Sequence, residues 1–133
     1  MQLCETAVLV EDEDTGGQDD ALLELSLNCA LAALRDRKVG SISWNRRSGG
    51  GQFDEFGRFE MFGDGAARYT TGGVADLCET VVDAVDVVTL KAPEVFAGCL
   101  GNTVIEERFA CLRQARLDHR TTCVEGEEDC GGV

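Results

Sequence analysis

Residues 21–40, ALLELSLNCALAALRDRKVG, are the stretch that decides the predicted fold class. Asp19 or Asp20 precedes this apolar stretch as a typical helix N-cap, and basic residues followed by Gly40 mark its end. Only a narrow side of the predicted helix is polar. A helix that is apolar nearly all round is buried on most sides. We therefore expect the central helix of the domain, or a helix that also meets a partner.

Three segments further along the chain also have helical patterns. Residues 74–92 place valines and leucines on one face and acidic residues on the opposite face, with a strand over part of the segment as the alternative. Residues 93–101 predict a short helix that begins at a proline. A capping box at Thr103 predicts a third main helix over 104–118.

The β content predicted from the sequence is small. Residues 41–73 are rich in glycine and aromatic residues, and they predict loops plus one hairpin that joins 58–62 to 66–70. Residues 3–10 predict a short strand. The predicted fold class is therefore mainly α, with three main helices, one short helix and a small β-hairpin or strand element. We expect a disulfide-stapled single domain over 1–133.

Composition and charge exclude several classes of function. The chain has 133 residues, 44% hydrophobic and 28% charged, which is typical of one globular domain. Its net charge of −13 argues against nucleic acid and against an anionic membrane surface as the main partner. No apolar run reaches the roughly 18 residues of a membrane span. Residues 11–20 predict an acidic loop, and residues 124–133 predict an acidic tail.

The seven cysteines indicate an oxidising compartment, and their odd number leaves at least one thiol unpaired. On one straight helix, cysteines twelve residues apart lie about 18 Å apart. A disulfide needs Cα atoms within about 7 Å. Cysteines at that spacing can pair only if the helix between them is interrupted. The disulfide candidates are Cys78, Cys99, Cys111, Cys123 and Cys130.

The connectivity of these cysteines is left open by the sequence. Cys78 can reach Cys99 or Cys111, and Cys123 can close a short acidic loop with Cys130. The cysteines do not have the spacing of structural zinc sites, so no metal ligand is predicted.

Two groups of residues are candidates for interaction with a partner. Arg113, Arg116 and Arg120 lie on one side of the predicted third helix. They complement the helix end, or they form a docking stripe for an acidic partner or a phosphate-bearing lipid. Phenylalanines recur at every third residue of the aromatic segment, where they pack in a core or form a protein or pigment interface. They are Phe53, Phe56, Phe59 and Phe62.

No catalytic motif, cofactor or metal site is predicted. The only histidine, His119, lies among charged residues at a predicted helix end and is interpreted as a surface residue. We predict a non-enzymatic subunit that docks onto other protein subunits of a larger assembly. The alternatives are a small enzyme with a thiol that His119 activates, and a pigment or lipid carrier.

The stretch ELSLNCALAALRDRK resembles a Leu/Ala-rich helix followed by arginine, which is common in secreted and plastid-targeted proteins of dinoflagellate algae. The cysteine-punctuated stretches LCETVVDAVDVV and AGCLG share that style. The resemblance implies an oxidising lumenal compartment, such as the thylakoid lumen. It also implies an accessory role in a photosynthetic complex. It transfers no functional residue.

Overall fold

The computed structural model describes residues 1–11, 19–49 and 52–130 of the chain. Eight strands and three helices lie within these residues. In chain order they are β1 (Ala7–Val10), α1 (Asp20–Arg35), β2 (Gly40–Ser48), β3 (Phe53–Met61), β4 (Ala66–Ala75), β5 (Cys78–Val82), β6 (Ala84–Leu90), α2 (Pro93–Leu100), α3 (Ile105–Arg113), β7 (Arg116–Val124) and β8 (Glu127–Asp129).

All eight strands belong to one mixed sheet. β1 pairs with β2 in parallel, and α1 connects the two strands. β2, β3 and β4 form an antiparallel meander. β4 pairs with β6 along its first half and with β5 at its last two residues. β6 and β5 therefore pair with successive parts of β4. β7 pairs with β6, and β8 pairs with β5. Beyond β4 the sheet therefore continues along two paths, through β6 to β7 and through β5 to β8.

The three helices share one hydrophobic core with a single face of the sheet, which we call the inner face. Ile42 pairs with Phe59, and Phe59 pairs with Tyr69, so their side chains point to this face together. α1 contributes Leu27 to the core, and α2 contributes Phe96. Each large apolar side chain that is fully buried stabilises the fold by about 1.5–3 kcal/mol.

The first predicted helix is confirmed as α1. Asp19 is its N-cap, and the carboxylate accepts a hydrogen bond from the backbone N–H of Leu22 at 2.8 Å. The helix ends at Arg35, before the predicted stop, and Arg37 follows in a left-handed conformation with φ of 53°. Gly40 instead begins β2, where an added Cβ would lie 2.8 Å from the carbonyl oxygen of Met1.

The prediction of a mainly α fold is wrong, since residues 74–92 form strands rather than a helix. In β6, Asp86, Val88 and Leu90 are buried, while Val87 between them is exposed. This alternation has the period of a strand. The β-branched valines favour extended backbone, and both edges of β6 find partners, in β4 and in β7.

The third main helix is shorter than predicted, since α3 ends well before residue 118. The backbone N–H of Lys91, just after β6, donates to the carbonyl oxygen of Ala115 at 2.8 Å. This bond ties the chain to the sheet, where it continues as β7. The predicted capping box at Thr103 is also wrong, because the N-cap is Val104 and has no side-chain cap.

The hairpin between 58–62 and 66–70 is confirmed as the connection from β3 to β4, and the short helix over 93–101 is confirmed as α2. The strand predicted over 3–10 is present as the shorter β1. The other parts of 41–73 were expected to be loops, but most of them are strand. These strands are difficult to predict from the sequence, because glycine and polar residues lie between their buried aromatic residues and weaken the apolar pattern of a strand.

Residues 12–18 of the predicted acidic loop and 131–133 of the predicted acidic tail lie outside the described residues. The described part of the tail completes β7 and forms β8. The single domain over 1–133 stays a prediction. Among the described helices, none combines the length and the apolar character needed to cross a bilayer.

Candidate functional site

A cavity of about 860 Å³ opens on the inner face of the sheet. The second half of β4, together with β5 and β8, forms one side of it. The end of α3 and the start of β7 form the other side. Ligand cavities in proteins commonly measure about 300–1,000 Å³. The cavity is therefore the candidate functional site of the described residues.

Small side chains on β4 leave room for this cavity. Ala67 and Tyr69 point to the inner face and are buried under the core. The next inward positions on the same strand are Thr71, Gly73 and Ala75. None of these residues can fill the space between the sheet and the end of α3. The inner face is thus covered in one half and open in the other.

Two aromatic residues form the floor of the cavity. Trp44 is 4% exposed, and its ring makes a T-shaped contact with the ring of Phe109, with centroids 6.0 Å apart. Tyr69 stacks on Phe59, with ring centroids 4.1 Å apart and planes 8° from parallel. These contacts hold both rings against the core, so the cavity floor is packed from below.

Tyr69 is neutral over a wide pH range because of this position. Burial raises the pKa of its phenol above the ordinary value of 10.0. The indole N–H of Trp44 lies close to the phenol without completing a hydrogen bond to it. This N–H and the guanidinium groups of Arg116 and Arg113 act in the opposite direction and offset part of the effect. The cavity floor therefore carries a hydroxyl group and no negative charge at neutral pH.

Two arginines line the cavity where α3 gives way to β7. Arg113 is the last residue of α3, and Arg116 is the first residue of β7. The guanidinium carbon of Arg116 lies 5.5 Å from the centroid of the Tyr69 ring, a distance at which a cation–π contact is attractive. Both side chains are half-buried. They place two positive charges against an aromatic floor.

Two hydrogen-bond donors in the cavity have no acceptor. The indole nitrogen Nε1 of Trp44 and the guanidinium nitrogen Nε of Arg113 are both buried without a hydrogen-bond partner. An unmet buried donor costs about 1–3 kcal/mol. Two such donors in one cavity are consistent with a ligand that supplies the acceptors.

Acidic residues and a disulfide form the far wall. Glu127 and Glu128 of β8 line the cavity and are exposed, and Cys78 of β5 lies beside them in a disulfide with Cys130. The sulfur atoms of Cys78 and Cys130 lie within 4.8 Å of a carboxylate oxygen of Glu128. Since both sulfurs are in the disulfide, neither is a thiolate able to bind a metal ion.

The predicted arginine stripe is only partly assembled. Arg113 and Arg116 meet at the cavity, but they lie on α3 and β7 and not on one helix face. Arg120 lies further along β7, with its backbone beside Val88 of β6. The stripe was expected on the predicted third helix, which ends at Arg113.

The four phenylalanines do not form one cluster. Phe59 is fully buried in the core, while Phe53 and Phe62 are 38% and 48% exposed. Phe56 packs against Gly72, where an added Cβ would lie 2.9 Å from its ring. A spacing of three on a strand points consecutive side chains to opposite faces. An interaction role for these residues stays a prediction.

Three disulfides are present: Cys4–Cys29, Cys78–Cys130 and Cys99–Cys111. The predicted presence of disulfides is confirmed, and bonds of this kind indicate an oxidising environment. The pairings differ from those considered from the sequence, since Cys78 pairs with Cys130. Cys123 was a disulfide candidate, but it is an exposed free thiol.

The Cys99–Cys111 pair depends on an interruption of the helix. α2 ends before residues 101–104 and α3 begins after them, and the two cysteine Cα atoms come within 6.5 Å of each other. One straight helix through this segment would have separated them. The predicted disulfide candidates do not include Cys4 and Cys29, which join the start of the chain to α1.

Trp44 and Tyr69 are the site residues that sequence reasoning missed. The aromatic segment that contains them was interpreted mainly as core, and both residues do pack against the core. The available signal was that each is the only residue of its type in the chain. Their common position on the floor depends on strand register, which the sequence pattern did not provide.

No protein-family model, curated protein or solved structure matches the chain.

Proposed function

We propose that the chain is a non-enzymatic binding protein that holds a small organic ligand in the cavity. The observation that carries the proposal is the pair of buried donors without acceptors, Trp44 Nε1 and Arg113 Nε, which belong to residues that line one cavity. The cavity volume suits a ligand of this size. The packed aromatic floor supports binding, because side chains already held by the core lose little conformational freedom when a ligand binds.

A ligand panel tests this proposal. It contains fatty acids, alcohols, aromatic acids and pigments, each titrated by calorimetry against the oxidised protein. We expect at least one compound to bind at one site per chain. The variant Thr71→Phe fills the cavity from the inward side of β4 and should abolish that binding. Thr89→Phe, on the exposed face of β6, is the matched control.

Two results would contradict the proposal. One is a panel without any binder, and the other is a binder that Thr71→Phe leaves unaffected. Circular dichroism of both variants separates loss of the site from loss of the fold.

A docking subunit is a second candidate, favoured by the outer side of α1. Leu22 and Leu25 are 42% and 67% exposed there, although they belong to a helix whose other leucines are buried. Exposed apolar patches mark protein interaction sites. Under this candidate, the protein associates with other subunits through α1, and Leu25→Glu abolishes the association in sedimentation velocity. A wild-type protein that never associates with other subunits would contradict it.

The finer location and the enzyme alternative rest on the sequence. The thylakoid lumen and a photosynthetic assembly follow from the resemblance to dinoflagellate proteins, and fractionation of the native source tests them. The thiol-enzyme alternative narrows to Cys123, the free cysteine. It predicts fast alkylation of Cys123 near neutral pH, slowed by substitution of His119.

A further inference from the structure

Most of the arginines whose side chains the structure describes are paired with carboxylates. Six of the ten form ion pairs: Arg35, Arg46, Arg47, Arg58, Arg68 and Arg108. A seventh, Arg37, donates to the carbonyl oxygen of Lys91 at 2.8 Å. In the part of the chain that the structure describes, Arg113 and Arg116 have no carboxylate partner.

This exception is informative because the chain is strongly acidic. It has 25 aspartate and glutamate residues against 12 lysines and arginines. A half-buried guanidinium in such a protein has many potential partners. Arg113 and Arg116 instead both line the cavity, where Arg116 contacts the Tyr69 ring. The two positive charges are therefore available to a negatively charged ligand.

Trp44 adds an independent observation. Its side chain is more than nine-tenths buried, and Nε1 has no acceptor although it lines the same cavity as the two arginines. Trp44 lies on β2, remote in sequence from α3 and β7. An indole N–H is only a donor, so a ligand that meets it must present an acceptor.

We infer that the cavity binds the oxyanion of a small amphipathic molecule, such as a carboxylate or a phosphate monoester with an apolar body. Arg113 and Arg116 neutralise its charge, and the indole N–H of Trp44 donates to one of its oxygens. Charge-assisted bonds from arginine to oxyanions are stronger than neutral ones. The inference rests on the proposed binding function and names the chemical class of its ligand.

The carboxylates around the cavity are compatible with this assignment. Glu55 lies near Arg46, whose pKa it helps to raise. Glu127 and Glu128 are on the far wall and exposed to solvent. Asp86, buried on β6 opposite Tyr69, does not line the cavity. The negative charges therefore favour an orientation with the oxyanion at the arginines and the uncharged body toward β5.

Four probes test the ligand class: octanoate, octyl phosphate, octan-1-ol and inorganic phosphate. Calorimetry measures affinity, and the emission of Trp44, the only tryptophan, reports occupancy of the cavity. We expect octanoate or octyl phosphate to bind at least about tenfold more tightly than octan-1-ol. Comparison of the two distinguishes a carboxylate from a phosphate source. Inorganic phosphate, which has no apolar body, should bind more weakly than octyl phosphate.

Variants assign the contacts. Arg113→Gln and Arg116→Gln should each weaken binding of the preferred oxyanion about tenfold or more and weaken binding of octan-1-ol much less. Arg68→Gln makes the same charge change on the opposite face of β4 and should leave every affinity unchanged. Trp44→Phe removes the indole N–H and should weaken oxyanion binding, as calorimetry measures. If Arg113→Gln does not fold, Arg113→Lys keeps the charge and removes the planar fork.

Equal binding of octan-1-ol and octanoate would overturn the oxyanion inference, as would arginine variants that bind octanoate normally. The proposed binding function would survive either result, because in both cases a ligand would still occupy the cavity. Failure of all four probes would also overturn the inference. The broader panel and Thr71→Phe then decide the proposed function separately.

Discussion

The indole ring of Trp44 lies directly against the backbone of Gly57, its cross-strand partner on β3. An added Cβ at Gly57 would lie 2.7 Å from Cζ2 of the ring, closer than real Cβ contacts allow. Gly57→Ala should therefore displace the indole and lower the free energy of unfolding by about 1–3 kcal/mol. Urea denaturation measures the loss, and a shift of Trp44 emission shows the displacement.

Gly98 in α2 supplies the control for this substitution. Nothing lies within 4 Å of a Cβ added there. Gly98→Ala should raise the free energy of unfolding by about 0.5–1 kcal/mol, because alanine favours the helix. If Gly57→Ala were as harmless as Gly98→Ala, the ring would not pack on Gly57 as described.

Tyr69 should titrate at higher pH in the folded protein than in the unfolded chain. As the only tyrosine, it accounts for all tyrosinate absorbance, and burial raises its folded-state pKa. The unfolded chain loses this proton near pH 10. The associated stability is complete below that pH and is lost as the pH rises through the folded-state pKa.

A spectrophotometric titration measures this pKa directly, with circular dichroism at each pH to confirm that the protein is folded. The same titration in guanidinium chloride gives the reference for the unfolded chain. Coincident curves for the folded and unfolded protein would refute a buried Tyr69. Tyr69→Phe should remove this contribution to the loss of stability at alkaline pH.

Arg108 connects α3 to α1 and needs its acceptor on Asn28. Arg108 is buried, and its Nη1 donates to Oδ1 of Asn28 at 2.6 Å. Asn28→Ala leaves this buried N–H without a partner and should lower the free energy of unfolding by about 1–3 kcal/mol. Thermal and urea denaturation measure the loss.

Glu24 is the second partner of Arg108 and serves as the comparison. Its side chain is half exposed, so Glu24→Gln should cost less than about 1 kcal/mol. An equal or larger loss for Glu24→Gln than for Asn28→Ala would show that charge, and not the buried hydrogen bond, holds the two helices together.

The disulfides should differ in their contributions to stability. Cys78 and Cys130 are 52 residues apart, and Cys99 and Cys111 are 12 apart. In the chain-entropy model, removing the first pair costs about 4 kcal/mol and removing the second costs about 3 kcal/mol. Paired serine substitutions, compared by urea denaturation, test this order. The reverse order would mean that chain entropy does not govern these bonds.

A peptide map without reductant checks the same bonds. It should yield the three disulfide-linked peptide pairs, with Cys123 as the one cysteine that iodoacetamide labels in the folded protein. A peptide that links Cys123 to Cys130 would contradict the pairing.

The sequence predicted the elements whose local signals agree, such as α1 and the hairpin between β3 and β4. It failed over 74–92 because the valines and acidic residues there fit a helical period as well as a strand. Asp86 added to the error, since a buried carboxylate on the inner face conceals the alternation of β6. Pairing of β6 with β4 and with β7 made this segment a strand, and β7 is remote from it in sequence.

The site was predictable only in part. Arg113 and Arg116 were selected as a charged group, and they do meet at one surface. Their relation to Trp44 and Tyr69 could not be inferred, since it depends on the register of β2 with β3 and of β3 with β4. Small residues such as Thr71 and Ala75 did not indicate a cavity in the sequence, because a cavity forms where side chains are too small to fill the space.

The two halves of β4 have different roles: the covered half packs in the core, and the open half lines the cavity. Substitutions at Ala67 or Tyr69 disturb the packed core, whereas Thr71 and Ala75 border open space. Changes at the latter positions reshape the cavity without removing buried contacts. The fold therefore tolerates change in the open half of β4 while the framework that supports it stays intact.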